Sequence, residues 1–546
     1  IDATSGPLGQ GIAQAAGMAM AEQSLAHMYK DGDKIFNHYT YCLCGDGCLE
    51  EGISQEAISF AGLQKLNKLI LMYDCNDVTL DGPLSNSSVE NTVGRFQSAG
   101  WNVIKVEDGN SVEDIDKAIT IAKQSQEKPT MIMVHTVIGY GSAKQGTHKV
   151  HGSPLGIEDG EHAKKVYGYN YGPFEVPEEV YYTFRESFVK RGQEAYANFA
   201  KVWKDYKDEN YDEALKIEST VDNDVSTLVY KDIPSYSEEF ADSTRNCSGA
   251  CLNILNKQVF NLIGGSADVA GSVMTHIKDE TDFTATNRSG RNVNWGIREF
   301  AMAAMQNGML LHGGLRTYVG CFLVFADYLK PAVRMAALSG LPAIYLLSHD
   351  SIAVGEDGPT HQPIEQLAML RSIPNVNVIR PCDARETAAA WKVALESTRT
   401  PTCLILSRQK LPMIYSTSYA GVAKGGYVVS PEKEKLDFTI IATGSEVSLA
   451  VEAQKKLLAD GIDTRVVSMP SMNAFAQQDE AYIEKVLGAP YEKRIAVEML
   501  SSFGWHKFAK NVMSIERFGA SGPADDVIPS YGFTADNLAS IVKKCL

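Results

Sequence analysis

Short apolar runs of β-prone residues alternate with stretches of helical spacing, and the alternation returns in three blocks along the 546 residues. In the first block the runs fall at 37–43, 68–73, 101–106 and 130–137. An Ala-, Met- and Gly-rich helical stretch lies at 12–27, and a second at 53–66 places Ile53, Ala57, Phe60 and Ala61 at helical spacing. In the second block the runs fall at 259–263, 343–347, 376–379 and 403–406, with helices predicted at 297–311 and 386–395. The third has runs at 437–442, 464–467 and 495–498 and a helix at 446–459. Parallel strands need a crossover between them, usually a helix, so the pattern predicts α/β layers around mainly parallel sheets. A polar, Tyr- and Glu-rich stretch at 156–240, helical in part over 180–206 and carrying Pro173, Pro177 and Pro234, reads as a connector between cores. The expected organisation is three consecutive α/β domains: 1–215 with the connector at its end, 216–415 and 416–546.

Charge narrows the partners. Lys plus Arg is 51 against 67 Asp plus Glu, a formal net charge of −16. Such a surface repels nucleic acid and anionic lipid unless a basic run overrides it, and the chain has none. No apolar stretch approaches the ~18–20 residues of a membrane span. A phosphate-bearing ligand must therefore be captured by a few placed cations inside a cleft. The ten cysteines are scattered, and Cys42 and Cys44 lack the two-residue spacer of a redox or zinc pair. A reduced, cytoplasmic location is expected.

Several motifs could carry chemistry. Gly45-Asp46-Gly47 and Asn76 fall just past two predicted neighbouring strands, at the edge where α/β sheets take ligands. A carboxylate, an amide oxygen and the main-chain carbonyl of Val78 are hard donors that suit Mg²⁺ or Ca²⁺ on a diphosphate; the alternative is a tight surface turn with an unrelated Asn. Gly6-Pro7-Leu8-Gly9-Gln10-Gly11 opens the first helix, either to present backbone N–H groups or only as a helix entry. Glu299, in Gly296-Ile297-Arg298-Glu299, begins an apolar helix. It either answers the helix dipole or is a carboxyl sunk among Ala and Met, kept neutral to hydrogen-bond a ring nitrogen. The stretch 348–363 carries His349, Asp350, Glu356, Asp357 and His361 just after an apolar run, for acid–base or metal chemistry or as a solvated loop. Arg408 follows another run, where a guanidinium suits a phosphate.

Taken together, these segments resemble the transketolase family, enzymes that use thiamine diphosphate. The Gly6-to-Gly11 loop, Gly45 to Asn76, His148-Lys149-Val150-His151-Gly152, Gly264-Gly265-Ser266-Ala267-Asp268, Gly296 to Glu299, the 348–363 stretch and Ser407-Arg408-Gln409 occur in the family's order over nearly the whole chain. The resemblance implies the thiamine-diphosphate-binding fold twice, as a diphosphate-binding and a pyrimidine-binding domain, followed by a carboxy-terminal α/β domain. It also implies a homodimer with active sites at the subunit interface.

Carried over by position, the resemblance assigns Asp46, Asn76 and the Val78 carbonyl to the metal, Gly45 and Gly47 to its turn, and Gly6 and Leu8 to the aminopyrimidine. Glu299 matches the acid on the pyrimidine nitrogen, and Phe322, Phe325 and Tyr328 match the aromatic wall. Asp268 matches a cofactor-side acid. His151 and His361 match histidines near the reacting carbon, and Asp357 matches a specificity residue for a sugar hydroxyl. Arg245, Ser272, His349 and Arg408 match ligands of the sugar phosphate. The implied reaction is reversible transfer of a two-carbon ketol unit from xylulose 5-phosphate to ribose 5-phosphate or erythrose 4-phosphate, in the non-oxidative pentose phosphate pathway. Glu299 would drive the imino tautomer that deprotonates the cofactor, with His361 and His151 relaying protons. The alternatives are a dihydroxyacetone synthase and a catalytically inactive homologue that still binds the cofactor. Phe300 stands where many members carry a polar or imidazole side chain. The chain also opens on Ile1, close to the first motif, so an amino-terminal part of the family's first domain is expected to be missing.

Overall fold

Each apolar run closes its backbone hydrogen bonds against another run, and the helical stretches between them cover the faces so formed. In the computed structural model, which describes residues 2–222, 234 and 236–546, this produces three main sheets. The described residues form two compact units. The first holds the residues up to Asp222 with Thr284–Ser289 and Leu311–Gly314; the second holds the remainder to Leu546. The part of the expected connector at 223–233 and 235 lies outside the described residues.

In the first unit, α1 (Gln10–Met28) leads to β1 (Thr40–Gly45), α2 (Gly52–Leu63), β2 (Leu69–Cys75), β3 (Asn102–Val106), α3 (Val112–Ala122) and β4 (Thr130–His135). The sheet is wholly parallel in the order β1-β2-β4-β3. Helix α1 is buried along most of its length, which its Ala and Gly content permits. The connector is largely helical: α4 (Glu178–Phe184) passes through a wide turn, Arg185–Val189, into α5 (Lys190–Glu209), followed by α6 (Tyr211–Val221). Tyr206 of α5 and Ala214 and Ile217 of α6 are buried, and Tyr206 donates to the Lys30 carbonyl at 2.8 Å.

The second unit contains two of the three main sheets. After α7 (Thr244–Leu255) come β5 (Leu262–Ser266), β6 (Asn292–Asn294), α8 (Glu299–His312), β7 (Arg316–Phe322), α9 (Ala326–Leu338), β8 (Ile344–Ser348), β9 (Asn377–Ile379), α10 (Ala384–Glu396) and β10 (Thr402–Leu406). These six strands are all parallel, in the order β9-β10-β8-β7-β5-β6. The last sheet is built from β11 (Tyr427–Ser430), β12 (Phe438–Ala442), β13 (Thr464–Ser468), β14 (Arg494–Val497) and β15 (Asn511–Met513), ordered β11-β13-β12-β14-β15, and only β11 runs antiparallel. Helices α11 (Glu446–Ala459) and α12 (Ala535–Cys545) are part of this layer.

The architecture is the expected mainly parallel α/β one, and it departs from the predicted runs in places: β6, β11 and β15 are strands that none of those runs covers. The run read at 259–263 pairs over Leu262–Ser266, because Gly264 and Gly265 belong to the strand. A β-carbon at Gly264 would stand 2.0 Å from the Tyr318 carbonyl oxygen, and one at Gly265 1.9 Å from that of Val293. Strand β7, central to its sheet, is not among the predicted runs: it begins Arg316-Thr317 and is interrupted by Gly320.

A buried acid pair makes the second unit sensitive to pH. Glu386, near the start of α10, is fully buried, accepting from Tyr427 and Ser468 at 2.7 Å each and from the Cys382 N–H at 2.8 Å. Burial, with the Asp383 charge adding to it, pushes its pKa up from 4.5 to about 7. The folded chain therefore holds a proton that the unfolded chain has released between those values, so stability falls as pH rises from about 4.5 to 7. Glu386→Gln should flatten the decline of Tm across that window, measured by calorimetry at half-unit steps.

Candidate active site

Parallel pairing sets the first half of the site. Gly45 of β1 lies opposite Asp74 of β2, so Asp46 and Asn76 leave adjacent strands at one edge. Asp46 begins the short helical turn Asp46–Glu50 and is only 4% exposed. Its Oδ1 accepts from the Tyr73 hydroxyl, and its buried Oδ2 has no partner among the described residues. Burial raises its pKa, with the Tyr73 hydroxyl and the Asn76 N–H offsetting part of that. A buried carboxylate with one oxygen unsatisfied is suited to a divalent cation.

Asn76 Oδ1 accepts from the Val78 N–H at 3.1 Å, and its Nδ2 donates to Asp74 at 3.3 Å. The turn so made puts Asp77 at φ 59°. One ligand atom each from Asp46, Cys75 and Asp77 lies within 4.8 Å of the others. Burial pushes the Cys75 thiol up to about 11, so it stays protonated and is a poor ligand for a hard cation. Asp77 was not singled out from the sequence; its signal is its place directly after Asn76 in the acidic run Asp74-Cys75-Asn76-Asp77. The oxygen donors fit Mg²⁺ or Ca²⁺.

The glycine loop lies beside this edge. Gly9, at φ 80°, caps α1, and a β-carbon there would meet Ile53 Cγ2 at 2.7 Å. A β-carbon on Gly47 would lie 3.2 Å from Leu8 Cδ1, which places Leu8, and with it the loop after Gly6, next to the Gly45-Asp46-Gly47 turn. His151 follows the turn His148–Val150, half-buried, and its Nδ1 has no partner among the described residues.

The second unit gathers the remaining residues. Phe322 ends β7, Phe325 closes the turn Leu323–Phe325, and Tyr328 lies in α9. Phe322 and Phe325 stack at 5.8 Å between ring centroids, and Tyr328 meets Phe325 edge-on at 6.1 Å. His361 stands edge-on to Phe325 at 5.6 Å, and His349 stacks on Phe322 at 3.7 Å. Glu299 is half-buried rather than sunk among Ala and Met, because it stands in the first turn of α8 and the buried stretch begins at Ala301. Its charge helps raise the Cys321 thiol, after burial, so the carboxylate lies near Cys321 of β7.

Next to this wall is a concentration of positive charge. Arg245 Nη1 donates to the Ser272 carbonyl at 2.8 Å, while its buried Nε has no partner among the described residues. Its pKa is lowered by burial and by the Arg408 charge. His349 is held down at about 3 by burial, then by Arg245 and Arg408. Arg408 follows β10 and is exposed. Asp268, at φ 61°, follows β5, and Asp357 ends the turn Ile352–Asp357; both are exposed. A cluster of cations that repel one another, with an unpartnered guanidinium nitrogen, suits an anion such as a phosphate.

Family models bear on this arrangement directly. "Transketolase, thiamine diphosphate binding domain" matches residues 1–226, "Transketolase, pyrimidine binding domain" 241–413 and "Transketolase-like TK C-terminal domain" 425–534. The transketolase of Bacillus subtilis (strain 168) is 50% identical over 557 residues, which cover 100% of this chain and 83% of that protein. The chain belongs to the transketolase family. Among solved structures of the family, transketolase from Leishmania mexicana superposes with a TM-score of 0.96 at 40% identity, over 100% of this chain and 81% of that one. A Pichia stipitis transketolase in complex with sedoheptulose 7-phosphate also gives 0.96 at 40%, over 100% of this chain and 82% of that one. Membership makes the chain an enzyme of the transferase class with transketolase activity, dependent on thiamine diphosphate.

The residues fit that cofactor with a divalent cation: the open oxygen of Asp46 is placed for a cation, and the Leu8 loop and aromatic wall offer contacts for rings. Asp46→Asn should weaken Mg²⁺-dependent thiamine diphosphate binding at least about tenfold by calorimetry, with little change in far-UV circular dichroism. An affinity equal to that of the unmodified chain would remove Asp46 from the metal site.

Proposed function

We propose that this chain moves a two-carbon ketol unit from a ketose phosphate such as xylulose 5-phosphate to an aldose phosphate such as ribose 5-phosphate or erythrose 4-phosphate, as a cytoplasmic homodimer, with domains divided near residues 215 and 415. The observation that carries the substrate reading is the pair of guanidinium groups of Arg245 and Arg408, which repel each other and hold the nearby His349 neutral, beside the Phe322–His361 wall. A phosphate dianion there relieves the repulsion and fills the unpartnered Arg245 Nε. The Pichia stipitis structure, which holds a sugar phosphate, supports the same substrate class.

Thiamine diphosphate, when bound, supplies a nucleophilic carbon and an electron sink for breaking a carbon–carbon bond. The chain's own residues do the rest. Asp46, Asn76 and the Val78 carbonyl hold the cation, with Gly45 and Gly47 making the turn and Asp77 adjoining. Gly6 and Leu8 face the pyrimidine, and Asp268 adds a cofactor-side acid. Phe322, Phe325 and Tyr328 seat the ring, and Glu299 holds a proton at its nitrogen. His361 and His151 take and return protons at the sugar oxygens. Asp357 accepts from a sugar hydroxyl, and Arg245, Ser272, His349 and Arg408 fix the phosphate end so that the carbonyl end is oriented.

Arg408→Ala should raise KM for xylulose 5-phosphate at least about tenfold while leaving that for the unphosphorylated ketose within twofold, in a steady-state coupled assay; equal effects would make Arg408 structural. Glu299→Ala should lower kcat by about a thousandfold or more with thiamine diphosphate still bound. The dimer has its own test. If the metal donors of one subunit work with Glu299 of the other, chains carrying Asp46→Ala and chains carrying Glu299→Ala, inactive alone, should regain up to about a quarter of normal activity after subunit exchange. No recovery after proven exchange would place both residues in one subunit's site.

A further inference from the structure

The stretch from Ser348 to Pro363, which carries both histidines of the proposed substrate pocket, is gripped from two sides by residues of the last sheet's layer. His349 sits at φ 62°, a backbone region that side chains disfavour, and it is 3% exposed. The constraint enters through the next residue. Asp350 Oδ2 accepts from Arg380 Nε at 2.9 Å, and Arg380, just beyond β9, is fully buried.

The other guanidinium nitrogens of Arg380 point into the turn between β12 and α11. They reach the Thr443 carbonyl at 3.0 Å, Ser445 Oγ at 3.4 Å and both carboxylate oxygens of Glu446. The Arg380 backbone is tied to the same layer: its N–H donates to the Pro470 carbonyl at 2.9 Å, and its carbonyl accepts from the Gly444 N–H at 3.2 Å. Glu446 is itself held by the Met499 N–H at 3.0 Å.

The second grip lies beside His361. Gln362, 2% exposed, donates from Nε2 to the carbonyls of Ile352 at 3.2 Å and of Gly355 and Ala520 at 3.0 Å each. Ser521 Oγ donates to the Glu356 carbonyl at 2.7 Å. A β-carbon on Gly519 would stand 1.7 Å from Gln362 Oε1, so only glycine lets this loop close on the amide.

A buried ion triad adds little stability over apolar residues of the same shape, but it imposes one geometry on what it joins. We propose that the carboxy-terminal layer is a positioning frame for the substrate stretch: Glu446, through Arg380 and Asp350, places His349, and the turn at 519–521, through Gln362, places His361. This rests on the reading of His349 as a phosphate ligand and His361 as a proton carrier. Glu446, Arg380, Asp350 and Gln362 are positioning residues; none is placed against substrate.

The test uses the full chain with isosteric changes, since Arg380→Met is expected to destabilise the fold. Glu446→Gln and Asp350→Asn should weaken equilibrium binding of xylulose 5-phosphate about tenfold and leave that of xylulose within twofold. Gly519→Ala should instead lower kcat about tenfold with both sugars, keeping the ratio of their affinities. Tm and circular dichroism confirm that each variant is folded. Folded variants that keep the normal affinity ratio and kcat overturn the frame, as does equal weakening of both sugars by Glu446→Gln, which marks a merely structural role. Arg408→Ala in the same titration separates the two readings. If it discriminates between the sugars and the Glu446 and Asp350 variants do not, the frame alone fails; if none discriminates, the phosphate reading fails and the frame with it.

Discussion

Parallel pairing delivers the carboxyl ends of all the strands in a sheet to one edge, and the candidate chemistry of this chain depends on that alignment. Gly45 and Asp46 follow β1, and Asn76 follows β2. Phe322 ends β7, His349 follows β8, Arg380 follows β9 and Arg408 follows β10. Side chains far apart in sequence thus meet without any loop having to reach across the fold. The strands bury their own polar backbone in the ladder, so only the residue just past each end is free to face a ligand.

These edges are also where the chain holds charge in poorly solvated places. Asp46 is buried with one oxygen unsatisfied, and Arg245 and Arg408 repel each other across His349. Each arrangement carries a cost that an ion of opposite sign would offset. On the proposed function, metal and phosphate recognition would be two forms of one device, with a cation answering a buried carboxylate in one unit and an anion answering a cationic cluster in the other. The Arg380 triad differs, because its charges already satisfy one another.

Periodicity was a sound guide where one face of an element alone is buried or where an apolar run is uninterrupted. β4, β8, β10, β12 and α11 lie close to their predicted spans for this reason. It failed at β7, buried from Arg316 to Cys321 although Arg316 opens it, because the guanidinium finds the carbonyl of Leu395 in α10 at 2.7 Å. The Gly320 that breaks the apolar run is itself a product of packing: a β-carbon there would stand 2.6 Å from Thr275 Cγ2. Asp350 illustrates the same limit. In sequence it is one acid among several in a polar stretch, and only the fold turns it onto Arg380 and away from the pocket.

By itself the sequence determined the layer type, the order of the strands in the chain and the residues just past their ends, because apolar periodicity and the residue following a run are local properties. The ordered motifs also determined the family. Tertiary structure alone decided which strands are neighbours, that Glu299 stands half-exposed at the mouth of its helix rather than inside it, and that Asp77 joins Asp46. It alone also decided that the last layer grips the stretch from Ser348 to Pro363. These depend on contacts between residues tens to hundreds of positions apart, and no local pattern encodes which distant partner will satisfy a buried charge.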